Sequence, residues 1–419
     1  MSEEARSQQG AVQEVLLPNP RPDMMPPPEG DPRDYERLYF DPEKWNAEIA
    51  NFFLPADEDR IKTGQGKLEG QGRGAIFLSD FHLADGTAGG DDFLESHLHP
   101  DEAFRGLHAG FFPPGPSRAT LFASVLTFGL QRLSEVTGVN LPIDVVLAGD
   151  VVNFLELKGR GSTPVGRSHL LFFRTLAAIR DQANVFWLRG NHDYVVPTGP
   201  WRVGEFYANG LLRTLVEHGD FWDKQNWPPG PLNEGSKLAI ELGGPYEVHA
   251  SVMREGSIRY LFSGIDNIRP WNNKALQGFL DRRAKHSDVA AVSAMFARMD
   301  YLGAADDSAA YKGALERRRD ARYRDWLMVQ GHTHVPAMDP DVYYNLGTWI
   351  STLVAPKNEE KVIDAFPFLL VYLTADGQRR EEYYIVFRDS PESAPRAVLQ
   401  TEESVNALRE TFGYSPLKS

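Results

Sequence analysis

The chain has 419 residues, enough for one large domain or two ordinary ones, and its 42% apolar content is ample for a buried core. Its 44 basic and 58 acidic side chains leave a net charge of -14, which disfavours nonspecific binding to a nucleic-acid backbone but not to a small phosphorylated substrate held through metal ions. Cysteine is absent, which excludes disulfides and thiolate metal sites and leaves His, Asp, Asn and Glu to hold any metal.

Residues 1–72 read as a proline-rich, acidic arm. "LPNPRPDMMPPPEGDP" has too little apolar surface to offset the entropy of ordering, while "DYERLYFDPEKWNAEIANFFL" carries aromatics suited to a short packed helix. The organised region, 73–389, opens with "AIFLSDFHL", an apolar strand ending in polar residues. Helical apolar spacing follows in "SRATLFASVLTFGLQRLSEVTG", then a strand in "IDVVLAGDVV", a helix in "SHLLFFRTLAAIRDQA" and a strand in "NVFWLRGNHD". This alternation predicts a parallel-type sheet with helices on its faces, and ligands of such sheets gather at the carboxyl ends of strands.

Two insertions interrupt this pattern, at about 85–118 and 223–326. The second contains the charged helical run "AAYKGALERRRDARYRDW" and reads as a helical and loop cap. "WLMVQGHTH" and "VYYNLGTWI" restore strand character, and "FPFLLVYLTADGQRREEYYIVF" predicts a hairpin turning near Asp376-Gly377. Residues 390–419 read as a polar tail. The start, "MSEEARSQQG", is acidic where a secretory signal is basic and then apolar, and apolar runs such as "FPFLLVYL" are too short to span a bilayer. A soluble cytoplasmic protein is expected.

Five polar clusters sit at or near predicted strand ends: Asp80-Phe81-His82, Gly149-Asp150, Gly190-Asn191-His192-Asp193, His218-Gly219-Asp220 and Gly331-His332-Thr333-His334. None is specific alone, but together they supply residue types that suit divalent ions. Residues two apart on a strand point to one side, so Asp80 with His82, and His332 with His334, are each placed to bind one ion jointly. Glycines at 149, 190, 219 and 331 let the backbone turn sharply and keep bulk away from the ions.

In combination these blocks resemble the calcineurin-like metallophosphoesterases, over about residues 75–350. "FLSDFHL", "HGDFWD" and "GHTHVP" followed by "YYNLGTW" are closest in style to the bacterial branch that includes UDP-diacylglucosamine hydrolases. The resemblance implies an α-β-β-α fold: a two-sheet β-sandwich flanked by helices. It implies two divalent ions, Mn, Fe, Zn or a mixture, with Asp80, His82 and His334 on the first, Asn191, His218 and His332 on the second, and Asp150 bridging. It implies attack of a metal-bound hydroxide on a phosphodiester, pyrophosphate or phosphomonoester, with His192 protonating the leaving oxygen.

His249 in "YEVHASV" is the alternative to His218, which the following glycine favours. Asp193 reads as a turn-fixing residue, His97 and His99 as a solvated loop pair, and Arg105, Arg189 and Arg254 as possible phosphate contacts. Asn153 stands where many relatives carry an Asp that pairs with the catalytic histidine. An amide orients the ring without adding charge, so His192 is expected to be a weaker base here, with activity falling at lower pH than theirs. The same stretch lacks the "DRG" of phosphoprotein phosphatases. The rival readings are a catalytically silent scaffold, against which stands the complete ligand set, and a nuclease, against which stands the net charge. The sequence sets no oligomeric state.

Overall fold

The computed structural model describes residues 13–24, 66–83, 118–137, 142–152, 169–190, 200–222, 307–349, 352–354, 361–363, 365–387, 395–411 and 414–417. Its strands are β1 (Glu14–Leu16), β2 (Lys67–Gly70), β3 (Gly74–Leu78), β4 (Ile143–Leu147), β5 (Ala183–Leu188), β6 (Arg202–Gly204), β7 (Phe206–Asn209), β8 (Thr214–Glu217), β9 (Leu327–Gln330), β10 (Pro336–Asp339), β11 (Tyr343–Leu346), β12 (Thr352–Val354), β13 (Lys361–Ile363), β14 (Ala365–Leu373), β15 (Arg379–Phe387) and β16 (Arg396–Leu399). The helices are α1 (Arg118–Thr137), α2 (Leu170–Ala178), α3 (Asp307–Arg319) and α4 (Glu402–Thr411).

Among the described residues the strands form an eight-stranded sheet, ordered β1-β16-β15-β14-β3-β4-β5-β6, a six-stranded sheet, ordered β10-β11-β9-β8-β7-β2, and a small β12-β13 pair. Strands β3 to β6 run parallel, as the helix–strand alternation predicts, and β14 joins them antiparallel with Leu369 opposite Phe77. The predicted hairpin joins β14 to β15 and turns through Gly377 at φ 79°.

The strands of the first sheet are apolar on both faces because both faces are covered. Ile76, Leu78, Val145, Leu147, Val185 and Trp187 point to one side, where α1 and α2 cover them. Their neighbours Ala75, Phe77, Val146, Phe186 and Leu188 point to the other, against Tyr207, Val216, Val329 and Leu346 of the second sheet. Period-two alternation thus divides each strand between two cores. On the outer face of the second sheet, Leu215, Met328 and Tyr343 meet Ala314 of α3, which gives the expected helix–sheet–sheet–helix order.

Helix α1 is pinned to the first sheet by one polar cluster. Arg132 donates through Nε and Nη2 to the two oxygens of Glu382, at 3.1 and 2.6 Å, and Tyr372 and Tyr384 donate to the same carboxylate at 2.8 and 2.9 Å. Burial opposes the Glu382 charge, but the hydrogen bonds from Arg132 and Tyr372 outweigh it and hold the carboxyl below its ordinary value. Its stabilisation is therefore complete above the unfolded-chain value and is lost as pH falls through the lower folded value. Arg132→Met is expected to cost about 1–3 kcal/mol near neutral pH. That deficit should shrink in strongly acid urea titrations, where wild type loses the same interaction.

Both ends of the chain differ from the arm and tail expected above. Within the expected arm, β1 pairs antiparallel with β16 and β2 parallel with β7, while Leu17 and Met24 are buried in the helix-side core. Strand pairing satisfies the backbone, and two buried apolar side chains supply what the local composition lacks. Within the expected tail, β16 extends the first sheet and α4 packs on β10. Helix α4 inserts Val405 into the inter-sheet core and buries Arg409, which donates to the carbonyls of Pro336 and Ser415 at 3.3 and 2.9 Å. Helix α3, expected within the cap, instead forms part of the outer helical layer. Residues 85–117 and 223–306 of these insertions lie outside the described residues.

Candidate metal centre

The polar clusters follow the carboxyl ends of strands from both sheets. Asp80 and His82 follow β3, Asp150 follows β4, His218 follows β8, and His332 and His334 follow β9. Backbone hydrogen bonding continues past the strand ends: Asp80 N–H donates to Gly149 O at 3.1 Å and His82 N–H to Asp150 O at 2.9 Å. Gly331 N–H reaches His218 O at 2.9 Å and so joins the β8 and β9 ends. Phe81, between the two polar residues, turns into the helix-side core against Phe122, Phe172 and Trp349 at centroid distances of 5.3, 5.1 and 5.4 Å.

The backbone conformation there was not foreseen. Asp80, His82, Asp150, His332 and His334 have φ of 58, 49, 50, 68 and 56°, all left-handed rather than extended. Each such residue costs about 1–3 kcal/mol and persists only where the surroundings over-determine it. The surroundings here do so: Asp80 O accepts from Trp349 N–H at 3.0 Å and Thr348 Oγ1 at 2.9 Å, while the Asp80 carboxylate receives His332 N–H at 3.1 Å. The two-residue strand rule therefore fails for His332 and His334. They belong to different groups, whereas Asp80 and His82, with similar φ, share one.

Two buried groups result, Asp80 with His82 and His334, and Asp150 with His218 and His332, and within each the candidate ligand atoms lie within 4.8 Å of one another. In the first, the Nε2 atoms of His82 and His334 are 3.0 Å apart, and Asp80 Oδ1 is 3.1 Å from His334 Nε2. In the second, Asp150 Oδ2 is 3.1 Å from His218 Nε2, and the same oxygen is 3.9 Å from His82 Nε2 of the first group. Asp150 thus faces both.

The donor set fits divalent ions. His218 Nδ1 lies 2.9 Å from Ala148 O, so Nδ1 carries the proton and Nε2 of the neutral ring aims a lone pair at Asp150. Two acceptors at 3.1 Å repel unless a cation or a proton lies between them. Without a metal a proton takes that place: burial opposes the imidazolium, but the Asp150 carboxylate outweighs it and pushes His218 well above its ordinary value. Burial likewise opposes the Asp80 charge, yet His334 and His82 hold its carboxyl far below the usual range. Asp220 behaves oppositely, with burial, only partly offset by His218 and His332, pushing it up to about 6.

Of the sequence candidates, Asp80, His82, Asp150, His218, His332 and His334 come together. Asn191, His192, Asn153, Asp193, His249, His97, His99, Arg105 and Arg254 lie outside the described residues. Arg189 pairs with Glu205 at 3.0 Å. Sequence reasoning gave no role to Asn345, whose side chain donates to Gly331 O at 2.7 Å and accepts from Gly347 N–H at 3.0 Å, holding the turn that carries the two histidines. The available signal was a lone amide inside the otherwise apolar strand "YYNL".

Gly149 meets both demands made of the strand-end glycines. Its φ is 96°, and a Cβ there would lie 2.5 Å from His218 Nδ1. Gly149→Ala is expected to lower the melting temperature and to weaken divalent-ion uptake, measured by thermal unfolding with and without Mn²⁺. An unchanged ion-induced shift in melting temperature would contradict the close approach.

Two facing Asp/His groups at the strand ends of a helix-flanked sandwich are the marks of a metal-binding phosphoesterase. The calcineurin-like phosphoesterase family model matches residues 75–348, and the chain belongs to that family. No curated protein and no solved structure matches it. Family and site together support a metal-dependent phosphoesterase. Among the described residues no helix is long and apolar enough to cross a membrane.

Proposed function

We propose that the chain hydrolyses a phosphodiester, pyrophosphate or phosphomonoester bond of a small substrate at a dinuclear centre. The observation that carries this reading is Asp150, buried and facing a histidine of each group, His218 at 3.1 Å and His82 at 3.9 Å. In this reading Asp80, His82 and His334 would hold the first ion and Asn191, His218 and His332 the second, with Asp150 placed to serve both. Neutral imidazoles with carboxylates suit Mn, Fe or Zn without discriminating sharply among them. Two such ions supply Lewis acidity toward the phosphate oxygens and activate water for attack on phosphorus.

The chain's own residues have separable tasks. Asp150 contributes the negative charge that lets two cations sit close together, which an imidazole could not do. The Ala148 carbonyl orients His218, and Asn345 orients the turn bearing His332 and His334. His192 gives a proton to the leaving oxygen, and Asn153 orients its ring without adding charge. The motif likeness to the UDP-diacylglucosamine hydrolase-like branch makes nucleotide-sugar pyrophosphates and diesters the first substrates to try.

The test is the ratio of Mn²⁺-dependent hydrolysis rates on a chromogenic phosphodiester and the matching monoester, before and after chelation. A ratio favouring the diester, lost on chelation, is expected. A monoester preference would remove the branch likeness and leave a phosphatase. Hydrolysis of neither, with ions bound, would favour the scaffold reading.

A further inference from the structure

Beside the second group lies a polar cluster that the reading above leaves without a role. Glu217 is the last residue of β8 and immediately precedes His218. Its Oε1 accepts from Trp222 Nε1 at 2.6 Å and from Gln330 Nε2 at 2.8 Å, and its Oε2 accepts from Arg317 Nε at 3.1 Å and pairs with Arg317 Nη2 at the same distance. Gln330 ends β9, two residues before His332. One carboxylate therefore ties together the strand ends that deliver His218 and His332, one step beyond the last paired residues, Val216 and Val329.

The third partner comes from a different layer. Arg317 belongs to α3, and its guanidinium lies 5.2 Å from the centre of the Trp222 ring. One turn earlier, at Gly313, a Cβ would stand 2.2 Å from Trp222 Cγ, so the ring rests directly on the helix backbone. Helix α3 thus grips the segment after His218 in two places: ring against glycine, and guanidinium against both ring and carboxylate.

Resting on the dinuclear reading, we propose that Glu217 is a positioning residue that makes the second ion site conditional on the docking of α3. With Arg317 and Trp222 in place, Glu217 fixes the β8 and β9 ends at the separation that lets His218 and His332 meet one ion. Withdrawal of α3 leaves that carboxylate without its cation, so Glu217 is held by Trp222 and Gln330 alone and the two strand ends are less firmly fixed. By reciprocity, an ion held by His218 and His332 strengthens the docking of α3, 99 residues along the chain from His218 to Arg317.

The test titrates the metal-free full chain with Mn²⁺ by calorimetry, in wild type, Glu217→Gln and Arg317→Met. Hydrogen exchange of residues 307–319 is followed in parallel. Wild type is expected to bind two ions and to slow exchange in α3 as the weaker one binds. Both variants should weaken one ion about 10–100-fold, the range for loss of a residue supporting a metal ligand, and leave the other within about twofold. In both, the ion-induced slowing of exchange in α3 should disappear. Arg317→Met leaves the strand ends untouched, so it decides the matter if Glu217→Gln does not fold. Folded variants that bind both ions like wild type overturn the positioning role alone. A wild-type chain that binds fewer than two ions fails the dinuclear reading, and this inference with it.

Discussion

Asp150→Asn should lower hydrolysis by at least about 100-fold, more than the 10–100-fold loss typical of a residue that only supports a metal ligand. The fold should survive. Asn has the volume of Asp and is one of the few residues that tolerates the left-handed φ of 50° found at position 150. The carboxylate charge facing His218 at 3.1 Å disappears, so in the metal-free chain the His218 imidazole should titrate lower than in wild type. Kinetics, circular dichroism and NMR titration of the metal-free protein check the three parts. Activity within tenfold of wild type, as an order of magnitude, would remove Asp150 from the centre.

The second large effect lies at the opposite end of the same strand. Asp144, near the start of β4, is fully buried and accepts from the N–H groups of Gln71 and Gly72 at 3.0 and 2.9 Å, Asn184 Nδ2 at 3.0 Å, Tyr207 OH at 2.7 Å and Asn209 Nδ2 at 3.2 Å. Tyr207 and Asn209 belong to β7 of the other sheet, so one carboxylate bolts the sandwich together. Asp144→Ala strips several buried donors of an acceptor and should cost about 3–5 kcal/mol, read from urea unfolding. At low temperature, where the variant remains folded, its ion binding should match wild type. A loss below about 1 kcal/mol would mean that water replaces the carboxylate.

The two aspartates mark what could be read from sequence. Asp150 follows an apolar strand and a glycine, a position at which α/β sheets present ligands, so it stood out as a candidate. Asp144 looks like one polar residue in "IDVVL", and only the approach of β7, some 60 residues later in the chain, reveals its partners. The helix–strand alternation announced a parallel sheet, but the second sheet covering its other face was expected only from the family resemblance; in the structure β3, β4 and β5 divide their side chains between those two covering layers. Strands β1 and β2 and helix α4 were illegible because their order depends on pairing or packing with distant elements, which local composition does not record. The candidate ligand residues were legible as chemistry but not as geometry. Asp, Asn and His are the side chains most often found with positive φ, yet nothing local announces that five will adopt it together.

Each ligand group draws on both sheets: Asp80 and His82 from the first meet His334 from the second, and Asp150 from the first meets His218 and His332 from the second. The centre is therefore a gauge of how the two layers are seated on each other. A slide of a few tenths of an ångström between them would alter distances inside both groups at once, long before any strand came apart. Conservative repacking of the interlayer residues Phe77, Val146, Val329 and Leu346 should accordingly impair catalysis at temperatures where the protein is still fully folded. On this account drift in the interlayer core is limited by turnover as well as by stability.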